Sequence, residues 1–290
     1  MLTFVALCLV ARFAYSLNDI FIGRMARRYG RVEVAAFRGT SLAVSMAPWL
    51  LLVPADAWRA LGAHAGPLLI TVVVTAVANV LQLQAVRFVP FGLRAALMIC
   101  TMATASSLLG WAALGEHLTP LEVGLSVVLV ASGAAVALGS HTDGEIQVNV
   151  PLGSALTVAA GVLMACAIFG VKSLARDSHP LLTAWAWEAG AGLVLLPVAL
   201  WRGRQDSPRA TAQRFAVVAA AALPTALASG ASVLALELGD LGLWGALGGT
   251  QILFTAALGA LLHREALGFR RWSFMTIAAG SVATLALLRS

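Results

Sequence analysis

The sequence predicts an all-α integral membrane protein, with ten transmembrane helices arranged as two inverted five-helix repeats. Three observations lead there: composition, the length of the apolar segments, and a weak internal repeat. Of 290 residues, 60% are hydrophobic and 11% charged, with a mean hydropathy of +0.89. Soluble domains carry about a quarter of their residues as charges, so this chain is built for lipid.

A bilayer is crossed by about 20 mostly apolar residues in helical form. On that measure the spans fall near residues 2–23, 32–53, 66–86, 91–114, 119–140, 151–174, 179–201, 214–236, 242–263 and 268–288. A barrel would instead show runs of about ten residues alternating between apolar and polar. The first span, despite Ala14-Tyr15-Ser16 at its end, is expected to be a retained helix and not a cleaved leader. No basic residue precedes its apolar run, and Arg12 interrupts it. Span five opens on Thr119, Pro120 and Glu122, an N-cap, a first-turn proline and an acid placed to reach back to the cap. Cys8, Cys100 and Cys166 are odd in number and lie in apolar stretches, so they are expected to pack rather than pair or bind metal.

The repeat divides the chain into residues 1–145 and 146–290. At an offset of 150, "AAFRGTSLAV" from Ala35 aligns with "WAWEAGAGLV" from Trp185, which sets Arg38 opposite Glu188. "LGEHLTPLEVG" from Leu114 parallels "HREALGFRRWS" from His263, setting Glu116 opposite Glu265. Five is odd, so two halves of one structure must enter the membrane from opposite faces. Inverted repeats of this kind build secondary transporters, with substrate bound between the halves near the midplane.

An arginine early in span two and a Gly-Glu closing span four resemble the drug/metabolite transporter superfamily, in particular its EamA-type members. The residues that carry the resemblance are Arg38, Gly115 with Glu116, Gly124, Gly133, Glu265 and Gly280. Where members often carry a proline ahead of that glutamate, this chain has Met102 and Gln251. The resemblance implies a metabolite exporter, with amino acids a plausible cargo, and cytoplasmic termini. The charges favour the opposite orientation. Arg24, Arg27, Arg28, Arg31, Arg87, Arg94, Arg202, Arg204, Arg209, Arg214, Arg264, Arg270 and Arg271 fall on one side, against Arg59, Lys172, Arg176 and Arg289. By the positive-inside rule the richer side is cytoplasmic and both termini lie outside, in a bacterial inner or plasma membrane.

A charge at a helix centre costs roughly 2.5–3.5 kcal/mol on insertion scales, so polar residues within spans are candidates for a site. Glu188 lies about nine residues into span seven, roughly 13 Å deep, beyond the reach of water for a short side chain. Three readings stand: a buried pair with Lys172 across the hairpin, a cavity carboxylate that binds a cationic group or a coupling proton, or a protonated acid facing lipid. Arg38 and Asp19 form a second expected hairpin pair, with substrate contact as the alternative. Arg12, near the middle of span one, shares a helix face with Asp19 and is a candidate to line a cavity or bind an anion. Asn79 and Gln82 share a face of span three, and interhelical hydrogen bonds are the plain reading for them. Gln251 follows Gly245, Gly248 and Gly249, a close-packing pattern, and is a candidate to line the site. Trp187 adjoins Glu188 as a candidate aromatic wall, while Trp111 and Trp244 read as interfacial anchors. Glu116 and Glu265 read as span-end residues that cap or pair.

No phosphate-binding loop, H-E-x-x-H or G-x-S-x-G occurs, and the histidines fall at span ends. The expected function is a secondary carrier, an exporter of an amino acid, organic cation or similar small metabolite by alternating access, with proton coupling as an option. The competing class is a membrane-embedded enzyme or scaffold that does not transport. No cofactor or metal is expected. The expected partners are a small-molecule substrate and membrane lipid, not nucleic acid, and a monomer suffices for one pathway.

Overall fold

The computed structural model describes residues 2–89, 91–138, 149–204, 207–263 and 269–288. Within them the regular elements are helices. They are α1 (Leu2–Arg28), α2 (Arg31–Ser45), α3 (Ala55–Ala63), α4 (Ala65–Ala85), α5 (Phe91–Leu114), α6 (Pro120–Leu138), α7 (Val150–Asp177), α8 (Pro180–Arg202), α9 (Pro208–Leu238), α10 (Leu241–Ala246), α11 (Gly249–His263) and α12 (Phe269–Leu288), with a 3₁₀ segment at Ala47–Leu52. The boundary expected near residue 145, and Glu265 with its loop, lie outside the described residues.

Among the described residues, seven helical stretches are long and apolar enough to cross a membrane. Spans two, five and ten are helical but fall short of that measure. In span two the cause is local. Pro48 has no amide hydrogen to give Val44, so the α-helix stops at Ser45 and continues as a 3₁₀ turn. Span nine is also broken, between α10 and α11, and α3 is a short helix where a loop is expected. The start of span five follows the sequence reading. The Glu122 amide donates to Thr119 Oγ1 at 3.3 Å, and the Thr119 amide donates back to Glu122 Oε2 at 2.8 Å.

The helices pack across the two halves of the chain more than along each half. α1 lies along α9, α2 along α8, and α4 along α7. Under exchange of the halves, α1 with α9 becomes α7 with α4, while α2 with α8 maps onto itself. The same exchange relates the contact of α5 with α7 to that of α11 with α1, so the contact pattern repeats the symmetry of the sequence.

The α2–α8 crossing sits on that symmetry. Trp185 donates to the Ala43 carbonyl at 2.9 Å, and Arg38 meets Glu188, so the order along one helix runs against the other and the two counterparts are antiparallel. Glycines set their separation. A Cβ on Gly39 would stand 2.5 Å from the Gly192 Cα, a distance that only a residue without a side chain tolerates.

Lipid-facing and interior faces are distinct along α1. Val10, Phe13 and Phe21 are exposed, whereas Arg12, Ser16 and Asn18 are buried. Two expectations are corrected here. Trp244 is 1% exposed and belongs to the core instead of the interface, and Arg94, counted among the charges of one membrane side, is buried within α5. Trp111 is exposed, as an anchor at a helix end should be. Cys8 is buried, but Cys166 is exposed and does not pack inside.

Candidate functional site

The polar residues on the interior face of α1 meet those of α2, α8, α9 and α11 at the junction of the halves. Arg38 Nη2 donates to Glu188 Oε1 at 3.2 Å. The same oxygen accepts from Ser229 Oγ at 2.6 Å. Tyr15 Oη lies 3.1 Å from Ser229 Oγ, and because the serine hydrogen is committed to Glu188, the tyrosine is the donor. Tyr15, Ser229, Glu188 and Arg38 thus form one chain of hydrogen bonds through four helices. Asp19 Oδ2 accepts from Gln251 Nε2 at 2.7 Å and lies in the field of Arg94 and Arg38.

Both hairpin pairings expected from the sequence are replaced by longer-range ones. Arg38 pairs with Glu188 and not Asp19, and Asp19 takes Gln251. Lys172, 1% exposed, pairs with Glu116 at 2.6 Å instead of with Glu188. Glu116 also accepts from the amides of Leu241 at 2.8 Å and Gly242 at 3.4 Å, and Lys172 donates to the Gly239 carbonyl. Glu116 therefore caps the first turn of α10 and pairs at the same time, the role expected of a span-end residue.

Arg12 stands apart from both pairs. Its Nη2 donates to the Trp244 carbonyl at 2.9 Å, and its guanidinium carbon lies 4.0 Å from the centroid of the Trp244 ring. The break in span nine frees that carbonyl. The Gly248 amide turns to Gly245 at 2.9 Å, a three-residue step, and leaves the oxygen of Trp244 for the arginine. Ser16 Oγ reaches the Gln251 carbonyl at 2.8 Å, so one face of α1 reads the broken span at several points.

Of the other sequence candidates, Trp187 is buried and donates to Thr75 Oγ1 at 2.6 Å, which ties α8 to α4. Asn79 and Gln82 are half-buried, one and two turns beyond Thr75, and make no side-chain hydrogen bond to a described residue. Tyr15, Ser229 and Arg94 join the cluster without having been singled out. Tyr15 was within reach of sequence reasoning, because it lies between Arg12 and Asp19 on their own helix face. Ser229 shares one face of α9 with Thr225 and Ser232, but hydroxyls in apolar helices commonly bond their own backbone, so that spacing does not single it out.

The chain matches the profile of the EamA-like transporter family twice, over residues 2–139 and 151–287. No curated protein matches it. A solved structure described only as "Crystal structure of protein" superposes with a TM-score of 0.72 over 98% of this chain and 97% of that one, at 16% identity. That likeness is one of fold.

Proposed function

Because the chain belongs to the EamA-like transporter family, we propose that it is a secondary carrier that exports a small polar metabolite by alternating access, through one site between two inverted halves. Membership makes it a membrane transporter of small molecules, and the finer reading rests on a single observation. Arg38 and Glu188, equivalent positions of the two repeats, bond to each other across the interface of the halves at 3.2 Å.

A pair placed there is strained by any rocking of one half against the other. Leaving one member of a buried pair alone costs about 3–5 kcal/mol, so the halves separate only if something replaces the lost partner. A substrate group or a proton arriving at Glu188 serves that purpose, and it links occupancy to conformation. Ten crossings, proton coupling, function as a monomer, and a bacterial inner membrane with external termini complete the reading. Moving Arg94 and Lys172 into the interior removes one charge from each side of the loop tally, and the bias keeps its direction.

Reconstitution into liposomes tests it, with a panel of amino acids, nucleosides and quaternary amines, with and without a proton gradient. At least one compound is expected to move, with Glu188→Gln losing about tenfold or more of that rate, equivalent to about 1.4 kcal/mol. A well-folded E188Q protein that transports as the wild type overturns the role of Glu188.

A further inference from the structure

We propose that Arg12 is the docking point for a carboxylate, so that the carrier proposed above takes small organic acids or zwitterions in preference to simple cations. The inference rests on that reading and adds the substrate class. Arg12 is 2% exposed, deep in α1. A guanidinium offers five N–H donors. Here one nitrogen serves the Trp244 carbonyl and the flat face covers the Trp244 ring, while Nε has no partner among the described residues. No described carboxylate lies within ion-pair distance of it. A buried cation without a counter-ion is among the costliest groups a protein holds.

The two acids of the site are in the opposite condition. Glu188 accepts from Arg38 and Ser229, and Asp19 accepts from Gln251 beside two arginines. A cationic ligand would have to displace partners already in place, whereas an anion meets a need that the protein leaves open. Local shape agrees. Arg12 Cζ lies 3.7 Å from where a Cβ on Gly248 would stand, so the guanidinium packs directly against the bare backbone at the break of span nine. The fifteen-residue α11 begins at the next residue and turns the positive end of its dipole toward the same break. Broken helices of this kind hold the charged groups of substrates in other carriers.

The acid and amide forms of one molecule separate charge from shape. Purified protein in phosphatidylcholine nanodiscs is titrated with benzoate and benzamide, L-phenylalanine and L-phenylalaninamide, and tetraethylammonium, following thermal stability. A carboxylate is expected to raise Tm, with its amide and tetraethylammonium at least tenfold weaker. Arg12→Gln is expected to erase the response while leaving the unliganded Tm equal or higher, because a purely structural arginine would lower it. The acid and amide comparison needs no variant, so it stands even if R12Q folds poorly. A panel in which no carboxylate acts, or in which amides or tetraethylammonium act as strongly, overturns the assignment, as does a carboxylate response that survives in R12Q. Uptake assays keep the two readings apart. Carboxylate binding without transport removes the carrier and leaves Arg12, and transport of tetraethylammonium alone does the reverse.

Discussion

Two of the buried ion pairs among the described residues are built to different standards. Lys172–Glu116 is saturated: the acid holds the ammonium and two backbone amides at the start of α10, and the lysine holds a carbonyl as well. Arg38–Glu188 has a longer contact, its arginine side chain is 12% exposed, and its acid relies on a serine for its second bond. The first pair lies at a membrane end, where it joins the α5–α6 connection to α7 and the α9–α10 turn. The second lies on the symmetry of the repeat. The contrast teaches that burial of a charge alone does not mark a site. Both pairs join the two halves, and on the proposed mechanism the site is marked by the one held by few enough bonds to be exchanged.

The largest expected effect of testing that contrast is at the tighter pair. Lys172→Met leaves Glu116 buried without a counter-ion and should cost about 3–5 kcal/mol of stability, read as a fall in Tm in detergent. If K172M proves as stable as the wild type, the two pairs are not different in kind. Next comes the helix crossing beneath the looser pair. Gly39→Val drives a side chain into Gly192 and should cost about 1–3 kcal/mol by overpacking, with transport lost as α2 and α8 are pried apart. Retained activity in G39V would mean that close approach of the counterparts is dispensable. At the looser pair itself, Glu188→Gln keeps an acceptor oxygen for both Arg38 and Ser229 and leaves an arginine that is partly exposed, so its stability cost should stay below that of K172M while transport falls. A stability loss as large as that of K172M would reclassify Arg38–Glu188 as scaffold. The smallest effect is expected at Trp187→Phe, which removes one bond to Thr75, about 0.5–1.5 kcal/mol, and leaves transport intact. A transport defect there would restore the tryptophan as a wall of the site.

Much of this architecture was legible because it obeys local rules. The Thr119, Pro120 and Glu122 start of span five is written in three residues, and the polar face of α1 follows from helical spacing. The equivalence of Arg38 and Glu188 was visible in the alignment of the halves. Their bond was not, because the sequence reading paired each charge with its neighbour along a hairpin, Asp19 for Arg38 and Lys172 for Glu188. In this fold the helices of those hairpins pack on the other half instead, and long-range partners leave no periodic trace. Trp244 misled for a related reason. Near a span end it reads as an interfacial anchor, but span nine breaks just after it and carries it into the core, where its indole donates to Ser232 at 3.0 Å. The spacing of glycines 245, 248 and 249 is that of close packing. A Cβ on Gly245 or Gly249 would indeed press on α5 or α6, yet the same run also supplies the break that Arg12 occupies.

The central claim is that both sides of the membrane reach one site between the halves in turn. Labelling of a single cysteine tests it most directly. Tyr15→Cys, with Cys8, Cys100 and Cys166 replaced, is exposed to a membrane-impermeant maleimide added to either face of sealed vesicles. The same is done after Lys172→Cys and Glu116→Cys are joined by a disulfide. The account predicts labelling from both faces in the free protein and loss of labelling from the cross-linked face alone. Reaction confined to one face in both states, or no reaction from either, contradicts it.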